Sequence, residues 1–231
     1  MEKRKKLVVL TGAGMSAESG IATFRDSGGL WENYDPADVA SHDALMSNPE
    51  LVVAFANDRR KQCAAAQPNE GHRLLAELEK DYDVNVITQN IDDLHERAGS
   101  TKVLHLHGEL MKCSTYKDPD TPLPLPNGVL EMDPYAEDEH GNRLRPFIVY
   151  FGEPVPMMGE AIRLTSKADI LLIIGTSLNV YPAAGLVDCV APGVPVYLID
   201  PNDVMGSSRF HHIRKGGSEG MREFIEILPT L

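Results

Sequence analysis

The chain has 231 residues, with 22 Lys+Arg against 34 Asp+Glu, a formal net charge of −12 and 42% hydrophobic residues. That length and apolar content suit one substantial core, or a large domain carrying a small one. The acidic balance argues against general nucleic-acid affinity, which needs basic side chains to neutralise phosphates, and no apolar run approaches the ~18 residues that read as a membrane span.

The basic start, Met1-Glu2-Lys3-Arg4-Lys5-Lys6, leads into an apolar run too short for a secretory signal. Three scattered cysteines, Cys63, Cys113 and Cys189, do not make a disulfide framework, so a cytoplasmic location is expected. Leu7 to Leu10 read as a buried parallel strand feeding Thr11-Gly12-Ala13-Gly14-Met15-Ser16. Gly12, Ala13 and Gly14 would let the backbone approach phosphate oxygens, with Ser16 and Ser19 capping the next helix or binding an anion. The loop is neither Gly-x-Gly-x-x-Gly nor a P-loop, so alone it reads equally as a turn without a ligand. Residues 22–31, with Phe24 and Arg25, form a polar, glycine-rich stretch of the kind that covers a site.

Residues 36–66 read as a helical insertion, with caps at Ser41 and Ser47-Asn48-Pro49 and a buried stripe of Leu51, Val52 and Phe55. A helix through Leu74, Leu75 and Leu78 precedes strand Val84 to Thr88, whose end presents Gln89, Asn90 and Asp92 where ligands of open α/β sheets gather. Val103 to Gly108 alternates so that His105 and His107 share one face of a strand. Residues 112–145 are Pro- and acid-rich and read as an irregular insertion with little core of its own.

Regular structure is expected again at Phe147 to Gly152, followed by a helix near Met157 to Ser166 and a strand from Ile170 to Gly175 closed by Thr176-Ser177. A helix over Pro182 to Cys189, a strand over Val194 to Ile199 and an amphipathic helix over Ser218 to Leu228 complete the chain. Asp200 is placed to accept from a ribose diol or to cap the Pro201 turn. The alternation predicts an α/β fold, a Rossmann-like parallel sheet covered by helices on both faces. Residues 1–35, 67–111 and 146–231 would form that domain, and 36–66 with 112–145 a small one.

These blocks resemble the sirtuins, NAD-dependent protein-lysine deacylases. The resemblance rests on Thr11-Gly12-Ala13-Gly14-Met15-Ser16, Thr23-Phe24-Arg25, Thr88-Gln89-Asn90-Ile91-Asp92, Leu106-His107-Gly108, Phe151-Gly152-Glu153 and Gly175-Thr176-Ser177, in family order over nearly the whole chain. It implies NAD as cosubstrate, held by the two glycine loops, Ser16, Phe24, Arg25 and Asp200. It also implies that Gln89, Asn90 and Asp92 orient the nicotinamide ribose and carboxamide, and that His107 is the general base. The acyl oxygen of an acylated lysine in a protein would attack the anomeric carbon, giving an ADP-ribosyl imidate and then nicotinamide, O-acyl-ADP-ribose and free lysine. Val149 with Phe151, Gly152 and Glu153 would add a strand edge to the substrate peptide. Mono-ADP-ribosyl transfer or NAD hydrolysis would use the same pocket. A non-catalytic NAD or ADP-ribose sensor would not need Gln89, Asn90, Asp92 and His107 together.

Three departures from the family pattern carry expectations of their own. Cys113 stands where two Cys-x-x-Cys pairs usually hold zinc, and the segment adds only His140, so no zinc is expected. Ala17 and Arg59 match the desuccinylase and demalonylase type, favouring acidic acyl groups, but Ala56 replaces that type's Tyr. Asp200 stands in place of the usual Asn.

Overall fold

Leu7, Val8, Val9 and Leu10 are all buried because their strand lies inside a sheet covered on both sides. The computed structural model describes residues 4–23, 33–204 and 209–228. Its strands are β1 (Lys6–Thr11), β2 (Asp83–Thr88), β3 (Val103–His105), β4 (Gly108–Thr115), β5 (Leu123–Pro124), β6 (Leu144–Ile148), β7 (Ile170–Ile174), β8 (Val196–Ile199) and β9 (His211–Ile213). Among the described residues, six of them pair in parallel in the order β3-β2-β1-β7-β8-β9.

Helices α1 (Gly14–Ala17), α2 (Pro36–Val39), α3 (His42–Ser47), α4 (Pro49–Ala65), α5 (Glu70–Glu77), α6 (Leu94–Ala98), α7 (Met158–Thr165) and α8 (Gly217–Ile227) complete the regular structure. Alternation within β1 and β7 sorts the apolar side chains to two cores. Leu7, Val9, Leu172 and Ile174 meet Leu75 of α5 and Met221 and Phe224 of α8. Val8, Leu10, Leu171 and Ile173 meet Ala161 of α7 and Leu186. The α/β fold with both faces covered is therefore as expected, and the longest apolar strand, β7, is central.

Several elements differ from expectation. Residues 183–188 form a 3₁₀ helix (Ala183–Asp188) instead of an α-helix. The strand expected at Phe147 to Gly152 lies earlier, as β6, and pairs antiparallel with β4, which also pairs with β5. A register shift between Gly108 and Cys113 breaks the period of β4, which hides that strand in the sequence. Residues 112–145 do have buried side chains: Cys113, Met132 and Leu144 pack on Val53 of α4, so the core of this insertion is shared with the helical one. Strand β9 was not expected; its short His-His-Ile carries little apolar signal. Among the described residues, no helix is long and apolar enough to cross a membrane.

Candidate functional site

The sheet order reverses at β1, which has β2 on one side and β7 on the other, and a crevice at such a reversal is where open α/β sheets bind ligands. A cavity of about 590 Å³ opens there, lined by Gly12, Ala13, Gly14, Gln89, Asn90, His107, Gly175, Thr176, Ser177 and Asp200. The two glycine loops lock together: Gly12 N–H donates to Ile174 O at 3.0 Å and Gly14 N–H to Gly175 O at 2.9 Å. A Cβ at Gly14 would fall 2.7 Å from Gly175 Cα, and one at Gly12 2.7 Å from Gly175 O. Glycine is thus demanded first by loop-on-loop contact, a tighter constraint than approach to phosphate alone. Neither Ser16 nor Ser19 caps a helix. Ser16 is buried, donating to Asp92 Oδ2 at 2.9 Å and accepting from Asn90 Nδ2 at 3.1 Å, while Ser19 accepts from Asn69.

The loop after β2 is held from both sides. Gln89 donates to Thr176 Oγ1 at 3.1 Å, bridging to the loop after β7. The amide of Asn90 donates to Gly12 O at 3.0 Å, and its N–H to Thr88 Oγ1 at 3.0 Å. Asp92 is buried and does not line the cavity; it accepts from Ser16 and from Leu94 N–H at 3.1 Å. Burial raises the Asp92 carboxyl above its ordinary value despite those two donors. His107 lies just past β3, and its Nδ1 is 3.0 Å from Gln89 O. A carbonyl only accepts, so Nδ1 carries the proton and Nε2 is left with its lone pair. Burial lowers the His107 pKa, partly opposed by the Gln89 carbonyl, which suits a neutral base. His105, two residues back, meets the next carbonyl, Asn90 O, at 3.0 Å.

Among the described residues, the other end of the cavity is apolar with one cation. Ala17, Val52, Phe55, Ala56, Ile91 and Leu110 line it together with Arg59. The Arg59 guanidinium lies 5.5 Å from the centre of the Phe55 ring, and its Nε and Nη1 are buried with no hydrogen-bond partner among the described residues. Arg60, one position on, turns the other way, is fully buried and donates to Leu110 O at 2.7 Å.

Val149, Phe151, Gly152 and Glu153 also line the cavity. Glu153 accepts both arms of Arg145, at 2.7 and 2.8 Å, and the Tyr150 N–H at 3.0 Å, which fixes the turn. Phe151 exchanges backbone bonds with Ala40 and His42, so its own edge is already paired. Asp200 caps the Pro201 turn, with Oδ1 accepting from Asn202 N–H at 2.9 Å, and it also lines the cavity. Lys215-Gly216-Gly217, at the start of α8, lines it too and was not foreseen. A double glycine opening a helix was the available signal. Phe24 and Arg25 lie outside the described residues.

The donors expected to be insufficient for zinc are arranged as follows. Cys113 is buried, with Sγ donating to Pro124 O at 3.0 Å. Among the described residues, no three His, Cys, Asp or Glu side chains are grouped to hold a metal ion. The NAD-sized cavity, by contrast, combines glycine backbone, hydroxyls, a carboxylate and a helix start, a set that fits a dinucleotide.

Residues 12–182 match the Sir2 family. An NAD-dependent protein deacylase of Bacteroides thetaiotaomicron is 54% identical over 231 residues, covering 97% of this chain and 98% of that one. A crystal structure of a Sir2 homologue in complex with NAD superimposes with a TM-score of 0.86 at 37% identity, over 98% of this chain and 90% of that one. A Sir2 variant solved with a deacetylated p53 peptide and 3′-O-acetyl-ADP-ribose gives 0.84 at 34% identity, over 96% and 93%. With the glycine loops, the amide loop and the histidine all meeting in one crevice, the chain belongs to the Sir2 family, the sirtuins.

Proposed function

We propose that this NAD-dependent protein deacylase favours lysines carrying an acidic acyl group, succinyl or malonyl, over acetyl-lysine. Arg59 is the observation that carries the reading. It lines the apolar end of the cavity, and two of its nitrogens are buried without an acceptor among the described residues. An unsatisfied buried guanidinium is costly, and a carboxylate at the end of an acyl chain would satisfy it in two-pronged fashion. The relatives' activity and the peptide in the related structure support acylated lysine proteins as the general substrate.

In this reading the glycine loops, Thr176, Ser177 and Asp200 hold NAD, which supplies a ribose carbon that becomes electrophilic as nicotinamide leaves. Asn90, oriented by Gly12 and Ser16, and Gln89, oriented by Thr176, position the nicotinamide end. Asp92 acts from behind them through Ser16. His107 Nε2 takes a proton from a ribose hydroxyl. The Val149 carbonyl and Gly152 would offer the peptide a backbone edge, since Phe151 is paired on both sides and the Val149 N–H is bonded to His107 O at 3.0 Å. Residues 36–66 and 112–145, sharing one core, would act as a small domain without zinc. Elemental analysis giving no zinc, and a melting temperature indifferent to chelator, are the outcomes expected.

Mass spectrometry of acetyl-, malonyl- and succinyl-lysine peptides with NAD tests the acyl preference. Succinyl peptide should turn over faster, and Arg59→Ala should raise its KM ~10-fold or more while leaving acetyl peptide within ~2-fold. Equal turnover of both peptides, with Arg59→Ala changing neither, would refute the preference. Loss of O-acyl-ADP-ribose in His107→Ala is the control for the base.

A further inference from the structure

Both ring nitrogens of His105 face groups that can only accept. Nδ1 is 3.0 Å from Asn90 O, and Nε2 is 2.9 Å from Glu96 Oε1 on α6. A neutral imidazole has one N–H, so one of these contacts would set lone pair against lone pair. The side chain is only 8% exposed, which leaves little room for water to relieve it.

We infer that His105 is held as the imidazolium and is a positioning residue for the deacylation: pinned by Glu96, it fixes the Asn90 carbonyl and with it the loop that orients nicotinamide. The inference rests on the reading of Asn90 as a cosubstrate residue. Burial pulls the His105 pKa down, but hydrogen bond and charge of Glu96, the Asn90 carbonyl and Glu109 outweigh it, and the net shift is upward. Asp92 and His95 act on the same ring, and Lys112 bears on Glu96. The cavity that His105 borders on its other side adds His42, Asp120, Arg145 and Glu153.

Two residues apart, the chain thus keeps two histidines in opposite states. His107, with only the Gln89 carbonyl among the described residues, is free to be neutral, and His105, between two acceptors, is not. When His105 loses its proton, the stronger acceptor, Glu96, keeps the remaining N–H, and the Asn90 carbonyl then faces a lone pair. Turnover should therefore fall on an alkaline limb set by His105, separate from the acid limb set by His107.

The test pairs the pH profile of turnover with long-range ¹H–¹⁵N spectra of the histidines in protein without NAD. Wild type should show His105 protonated on both nitrogens at neutral pH. Glu96→Gln changes a half-exposed residue outside the cavity, and its amide can turn to donate to Nε2. The neutral ring then keeps Nδ1–H on Asn90, so the alkaline limb should disappear while the acid limb stays. A neutral His105 in wild type at neutral pH, or an alkaline limb unchanged in Glu96→Gln, overturns the inference and leaves the Asn90 reading standing. Full turnover in Asn90→Ala would instead remove that reading and the inference with it.

Discussion

Replacing His107 by alanine should lower turnover by ~10²–10⁴-fold, the usual worth of a general base, with NAD binding, read by calorimetry, retained. Because its pKa is pushed below the ordinary value, and the proposed mechanism uses the neutral ring as base, the acid limb should lie below pH ~6.5. At the acyl end, if the proposed acidic-acyl preference holds, Ala56 leaves Arg59 without the phenol that desuccinylase-type sirtuins have at that position. Ala56→Tyr should therefore raise succinyl preference by ~2–12-fold, one hydrogen bond's worth, measured as the ratio of kcat/KM values. The sequence marked Arg59 only through resemblance. Nothing in Arg59-Arg60 says which one faces the cavity, and the helix turns adjacent positions so far apart that one is a pocket cation and the other a buried strut. The motif reads Asp92 as an NAD-orienting residue; that its carboxylate is buried and bonded to Ser16 is a tertiary fact the motif does not carry.

Among the elements, the interlocked glycine loops are the least tolerant. Gly175 has φ +61°, and a Cβ there would lie 2.4 Å from Met15 N. Gly175→Ala should cost roughly 2–4 kcal/mol from backbone and overpacking together, read from urea midpoints. Met132→Ala, in the core that the two insertions share, should cost ~2–5 kcal/mol. Strands β1 and β7 were legible because burial on both faces makes an unbroken apolar run, a pattern independent of neighbours. Strand β4 was not, because its shifted register decouples side-chain alternation from burial, and β9 was too short to leave a period. The caps of α3 and α4 were readable for a local reason: Ser41 and Asn48 each accept from an N–H three residues on, whereas Asp35, which caps α2 through the Ala37 N–H, was not read.

At the scale of the molecule, buried histidines set how stability follows pH. His72, fully buried with neither ring nitrogen partnered among the described residues, has its pKa driven by burial to about 4. His95, against it at 4.8 Å, is also lowered. The unfolded chain binds these protons more readily, so stability is full above the ordinary His value of ~6.5 and falls as pH drops toward their folded values. For His72 alone the loss reaches about 3 kcal/mol near pH ~4, and His72→Leu should flatten that decline in urea melts. His105 works the other way: its raised pKa contributes stability below ~6.5 that is lost as pH rises through the folded value. The paired carbonyls of Gln89 and Asn90, tied to His107 just past β3 and to His105 at its end, have a consequence for anyone transplanting this chemistry. On the proposed roles, base and orienting amide would be inherited as a single cassette running from Thr88 to Gly108, and a graft that moved one half without the other would bring over a histidine with nothing to aim it.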